Sequence, residues 1–95
     1  MGWSCSYKAM QTLEKIFNEL EKRKLKILAN GWKYKNNEYF LQLGKENKNG
    51  AITGVIYKII DHKGLCKKVG NFKIDSDGKI IRFPYLPKEI KKLFN

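Results

Sequence analysis

Four turn signals cut residues 31–83 into short β-type runs, and their spacing constrains the fold more than any other feature of the chain. Asn36-Asn37 reads as a tight turn, and Asn49-Gly50 is among the strongest short hairpin signals. Asp61–Gly64 turns the chain again, and Asp75-Ser-Asp-Gly78 forms a last hairpin loop. Links of a few residues join antiparallel neighbours, whereas parallel pairing needs a crossover of about a dozen residues or more. The runs between the turns are Gly31–Lys35, Glu38–Leu43, Ala51–Ile60, Leu65–Ile74 and Lys79–Phe83. Their Ile, Val, Thr, Tyr and Phe favour a pleated surface. About five strands in a meander are therefore expected, stopped by Pro84.

Ahead of the strands, residues 5–28 begin as a helix. Met10, Leu13, Ile16, Phe17 and Leu20 recur at three- and four-residue spacing and line one face. Ser4 or Ser6 caps the start, and Lys22, Arg23 and Lys24 suit a helix C-terminus. The helix ends near Lys24. Leu25–Leu28 either extends it or begins an extended segment, and Asn30-Gly31 marks a break. Pro87 opens a short C-terminal helix, with Leu86, Ile90, Leu93 and Phe94 able to dock. The fold class is α+β: one domain over residues 1–95, with an N-terminal helix packed on a twisted antiparallel meander.

Alternation predicts what each sheet face carries. An equal-length pairing across Asp75–Gly78 sets Phe72 opposite Ile81 and Asn71 opposite Arg82. Gly70, Phe72, Ile81 and Phe83 then share the core face. Lys67, Val69, Asn71, Lys73, Ile80 and Arg82 share the other, and a one-residue slip exchanges them. Ala51–Ile60 is apolar on both faces, so one helix cannot cover it all. Either the C-terminal helix covers part of the second face or a partner does. Gly54 and Gly70 inside strands mark bulges or close packing.

Charge narrows the partner class. Twenty Lys and Arg stand against nine Asp and Glu, a net charge of +11, and eighteen of the bases are Lys. An AT-rich genome accounts for Lys in place of Arg but not for the missing acids. Residues 1–31, 32–64 and 65–95 carry +3, +3 and +5, so the charge is no detached tail. A field of this sign attracts polyanions. Aromatics interleave with bases in Trp32-Lys-Tyr-Lys35, Tyr57-Lys58, Phe72-Lys73 and Arg82-Phe83, as on sheets that bind single strands, although any half-buried strand alternates in this way. Trp32, Tyr34 and Tyr39 are the aromatics expected to be partly exposed.

No catalytic constellation is visible, and the chain reads as a non-enzyme. His62 is the lone His, in a turn, and Cys5 and Cys66 form no CxxC or metal-ligand pattern. Asp75-Ser-Asp-Gly lacks the distal acidic ligands of a calcium loop. No metal and no cofactor is expected. The thiols are expected to be reduced in a cytoplasmic protein. No apolar signal core or membrane span is read, and the Met-Gly start with Ser6 matches a myristoylation pattern only loosely. The helix–strands–helix order is similar to that of double-stranded RNA-binding domains. Pro87-Lys-Glu-Ile-Lys-Lys lacks their longer, basic second helix, and the strand count differs, so the chain is not assigned to them.

The leading expectation is a small binding domain that contacts nucleic acid, DNA or RNA, with weak sequence preference. Its contacts would be Lys67, Lys68, Lys73 and Arg82, with Lys33, Lys35 and Lys58 adding to them. About five phosphate contacts on duplex DNA imply a log–log salt slope of about −4 to −5. The rival is a protein-interaction module: a homodimer, or an accessory or inhibitor protein of a phage or plasmid bound to an acidic protein partner.

Overall fold

The computed structural model describes residues 6–44 and 49–94. Helix α1 (Tyr7–Lys22) starts where Ser6, in extended conformation, accepts the Ala9 N–H on its Oγ at 3.0 Å. The same hydroxyl donates to the Ser76 carbonyl at 2.6 Å, and Thr12 Oγ1 donates to the Gly78 carbonyl at 2.6 Å. The helix is thereby tied to the last hairpin loop of the sheet. Its exit is a Schellman motif: Leu25 N–H reaches the Leu20 carbonyl at 2.8 Å and Lys24 N–H the Glu21 carbonyl at 3.0 Å. Lys24 holds the left-handed position at φ 58°, where glycine is usual. The helix thus ends where its cationic last turn suggests. The alternative cap Ser4, together with Cys5 and the Met-Gly start, lies outside the described residues.

Six antiparallel strands follow in sequence order: β1 (Lys26–Leu28), β2 (Gly31–Tyr34), β3 (Asn37–Leu43), β4 (Ile52–Ile59), β5 (Cys66–Ile74) and β6 (Ile80–Arg82). The meander is as expected, with one strand more than the five read from the turn signals. The extra strand is Lys26–Leu28, too short to show a period of its own. The first tight turn also sits one residue earlier than Asn36-Asn37. Lys35 and Asn36 take φ 49° and 65°, the two left-handed positions of a two-residue hairpin, and Asn37 already pairs with Tyr34. The last loop is an Asx-type turn, in which Asp75 Oδ1 accepts the Asp77 and Lys79 N–H groups at 3.0 and 2.9 Å.

The core lies between α1 and one face of the sheet. Ala9, Leu13, Ile16 and Leu20 of α1 meet Trp32, Leu41, Ile52, Ile56, Phe72 and Ile74. Trp32 is the centre of an aromatic cluster with Phe17, Tyr39 and Phe83, and its Nε1–H donates to the Tyr85 carbonyl at 2.6 Å. Tyr85 stacks on Tyr39 at 4.4 Å between centroids. The C-terminal segment therefore crosses the same face as α1. Pro84 covers Gly70, where a Cβ would stand 3.0 Å from the proline ring. Helix α2 (Lys88–Lys91) drops Ile90 into the same core, and a 3-10 turn, Lys92–Phe94, ends the described chain. Both helices share one face. Among the described residues, neither helix lies on the other.

Candidate nucleic-acid interface

The uncovered face is set by the ladder register, and three irregularities decide its content. Ile56 pairs with Gly70 but Tyr57 pairs with Lys68, so Val69 is an extra residue in β5. Lys73 pairs with Arg82 but Ile74 pairs with Ile80, so Ile81 is extra in β6. Ile27 is extra in β1. Each bulge reverses the facing of everything beyond it.

Two expectations change as a result. Ile80 is buried in the core and Ile81 is exposed, the reverse of the equal-length pairing. Lys67 leaves the face of Lys73 and Arg82, and Lys68 takes its place. Lys67 instead stands opposite Lys58, in the row of the buried Tyr39. Of the three aromatics expected to be partly exposed, Tyr34 is half-buried as expected, whereas Trp32 and Tyr39 are buried in the core, because their parity turns them to the face that α1 and residues 83–85 cover. Burial and the neighbouring Tyr85 raise the Tyr39 hydroxyl pKa above its ordinary value.

Four rows run across the outer face, and Gln42, Val55 and Asn71 form the one next to the far end. The first is Leu28, Gly31, Phe40, Tyr57 and Lys68. Phe40 and Tyr57 stack at 5.1 Å, and Tyr57 Oη donates to Gln42 Oε1 at 3.2 Å. A second row holds Lys33 opposite Glu38, and Ile59 opposite Cys66. At the far end, Lys73 is paired with Thr53 on one side and with Arg82 on the other. Of the sequence-selected bases, the fold thus gathers Lys33, Lys68, Lys73 and Arg82 on one face. Lys58 and Lys67 sit on the opposite face. Lys35 sits on the hairpin tip, its Nζ 5.3 Å from the centre of the Tyr34 ring.

Electrostatically the sheet is lopsided. Strands β4, β5 and β6 contain Lys58, Lys67, Lys68, Lys73 and Arg82 and no acid. Helix α1 is balanced, with Lys8, Lys15 and Lys22 against Glu14, Glu19 and Glu21. Two cross-strand pairs, Lys58–Lys67 and Lys73–Arg82, oppose like charges directly. Such pairs destabilise a sheet. Among the described residues the ion pairs are Arg23–Glu19 and Lys26–Glu21 at 3.3 Å, His62 Nε2 lies 2.9 Å from Glu38 Oε2, and none of these contacts engages these bases.

Phe40 and Leu65, which had no place in the sequence-based expectation, join Ile59 of the expected second apolar face of Ala51–Ile60 and make the outer face apolar near the β4–β5 turn. The parity of Phe40, opposite to that of Tyr39 and Leu41, was the available signal. His62 is a turn residue with a 79% exposed side chain, as expected, yet it reaches Glu38 across the face. Among the described residues there is no group of three or more His, Cys, Asp and Glu side chains able to hold a metal ion, and no helix is long and apolar enough to cross a membrane. No protein-family model matches the chain, and neither the curated proteins nor the solved structures contain a significant match to it.

Proposed function

We propose that the protein is a small non-enzymatic binding domain that holds nucleic acid on the outer face of its sheet, mainly through phosphates. Lys33, Lys68, Lys73 and Arg82 are the contacts. The observation that carries this reading is the Lys73–Arg82 pair with Lys68 on the same uncovered face, with no ion-pair partner for any of them among the described residues. Like charges held side by side cost stability, and a polyanion removes that cost. Lysine acts as a point charge, so sequence preference is weak. We place the protein in a reducing, cytoplasmic setting, where the exposed Cys66 would stay a thiol.

The rival, a homodimer or a complex with an acidic protein, draws on the exposed Leu28, Ile60 and Leu65. The edges argue against strand pairing between copies, since β1 and β6 are three residues each. Fluorescence anisotropy of a labelled oligonucleotide across a salt series separates the readings. Four phosphate contacts predict a log–log slope of about −3 on a single strand. Affinity that stays flat with salt, together with a dimer in light scattering, would replace this reading with the rival.

A further inference from the structure

The turn between β4 and β5 curls over the outer face. Asp61 Oδ1 accepts the Lys63 and Leu65 N–H groups at 2.9 and 3.2 Å, and the Ile60 and Asp61 N–H groups both donate to the Leu65 carbonyl at 2.9 and 3.2 Å. His62 Nε2 then lies 2.9 Å from Glu38 Oε2. Between turn and sheet is an open cavity of about 400 Å³ walled by Leu28, Phe40, Ile59 and Leu65, with His62 and Cys66 also lining it. Leu28 and Leu65 are 56% and 58% exposed. The volume falls in the usual range for small-molecule sites, about 300–1,000 Å³.

We propose that this cavity receives an unpaired nucleobase, so that the strand bound on the outer face is single-stranded there. The inference rests on the nucleic-acid reading above and goes further than it. A duplex keeps its base faces inside the stack, and its major groove admits a helix or a two-stranded ribbon. Neither is on offer: the charges of α1 cancel, α2 has four residues, and the basic face belongs to a broad sheet. A single strand presents bases to apolar and aromatic walls while its phosphates meet cations.

The layout supplies both parts side by side. Phe40 borders the cavity, Tyr57 stands next to it, and Lys68 is opposite Tyr57. A base against Phe40 therefore lies about two strand spacings, roughly 10 Å, from the Lys68 strand. Asp61 also lines the cavity, and Glu38 is tethered to its rim through His62. Carboxylates there repel phosphate but accept hydrogen bonds from a base amino group. Apolar walls with acceptors take the base, and the acid-free side takes the backbone.

The test compares a labelled deoxyadenosine dodecamer with the same strand annealed to its complement, and with the ribo-oligomer to separate RNA from DNA. The single strand is expected to bind about tenfold tighter than the duplex. Leu65→Ser and Leu28→Ser, both at exposed positions and neutral in charge, should abolish most of that preference and leave duplex binding unchanged. In a Cys5→Ser background, single-stranded oligomer should slow alkylation of Cys66 and duplex should not. Equal affinity for the two forms, or an intact preference in both serine variants, overturns the cavity inference and leaves phosphate binding standing. If Lys68→Glu leaves the affinity for both forms unchanged, the nucleic-acid reading itself fails.

Discussion

On the inner face, Trp32, Tyr39, Ile56 and Phe72 come from four neighbouring strands, and each is at most 4% exposed. On the outer face, Phe40, Tyr57 and Lys68 come from three of the same strands, and none is fully buried. The strand sequences alternate, so the two sets are built from adjacent residues: Tyr39 beside Phe40, Ile56 beside Tyr57. The inner set is spent on folding. Large apolar side chains taken fully from water contribute about 1.5–3 kcal/mol each. The outer set keeps part of its aromatic surface open and holds in Lys68 a cation with no ion-pair partner among the described residues. A difference of one residue in register separates a stabilising position from one on the face proposed to bind.

The comparison is broken most strongly by truncation. Trp32→Ala removes the centre of the aromatic cluster and the hydrogen bond to Tyr85, and should cost about 3–5 kcal/mol in urea unfolding. Tyr57→Ala on the outer face should cost about 1 kcal/mol while weakening oligonucleotide binding. Equal stability losses would mean that the outer face is as structural as the inner one. A middle-sized effect is expected at Gly54, where an added Cβ would collide with the Gln42 carbonyl and the Phe72 ring. Gly54→Ala should destabilise by about 1–3 kcal/mol, read from the same unfolding midpoint. The smallest effect sharpens the contrast from the other side. Lys24→Gly relieves the left-handed position at the end of α1 and should add about 0.5–1 kcal/mol of stability. Its oligonucleotide affinity should match wild type, because α1 is remote from the outer face.

Much of this architecture was readable from local chemistry. The turns at Asn49-Gly50 and Asp75–Gly78, the exit of α1 at Lys24 and the docking of Ile90 all follow from residue types with strong backbone or burial preferences. The bulges at Val69 and Ile81 were not readable. Both are β-branched residues ordinary in any strand, and the two-residue-against-one pairing has no local signature in their side chains. Gly70, flagged within its strand, marked the neighbourhood of one bulge without its position. That uncertainty fell on the site itself, because the bulge at Val69 decides whether Lys67 or Lys68 joins Lys73 and Arg82. The cavity beside Phe40 was invisible for a related reason: it forms where the Asp61–Leu65 turn folds back, a tertiary event.

Lys67 and Lys68 therefore provide the most direct measurement. Lys67→Glu and Lys68→Glu change net charge identically and sit side by side in β5, on opposite faces. Anisotropy with a single-stranded oligonucleotide at fixed low salt should show a loss of about tenfold or more for Lys68→Glu, and a shallower salt slope. Lys67→Glu should stay within about threefold of wild type, the residue of long-range charge alone. Equal losses for the two variants, or a larger loss at Lys67, would contradict the assignment of binding to the outer face.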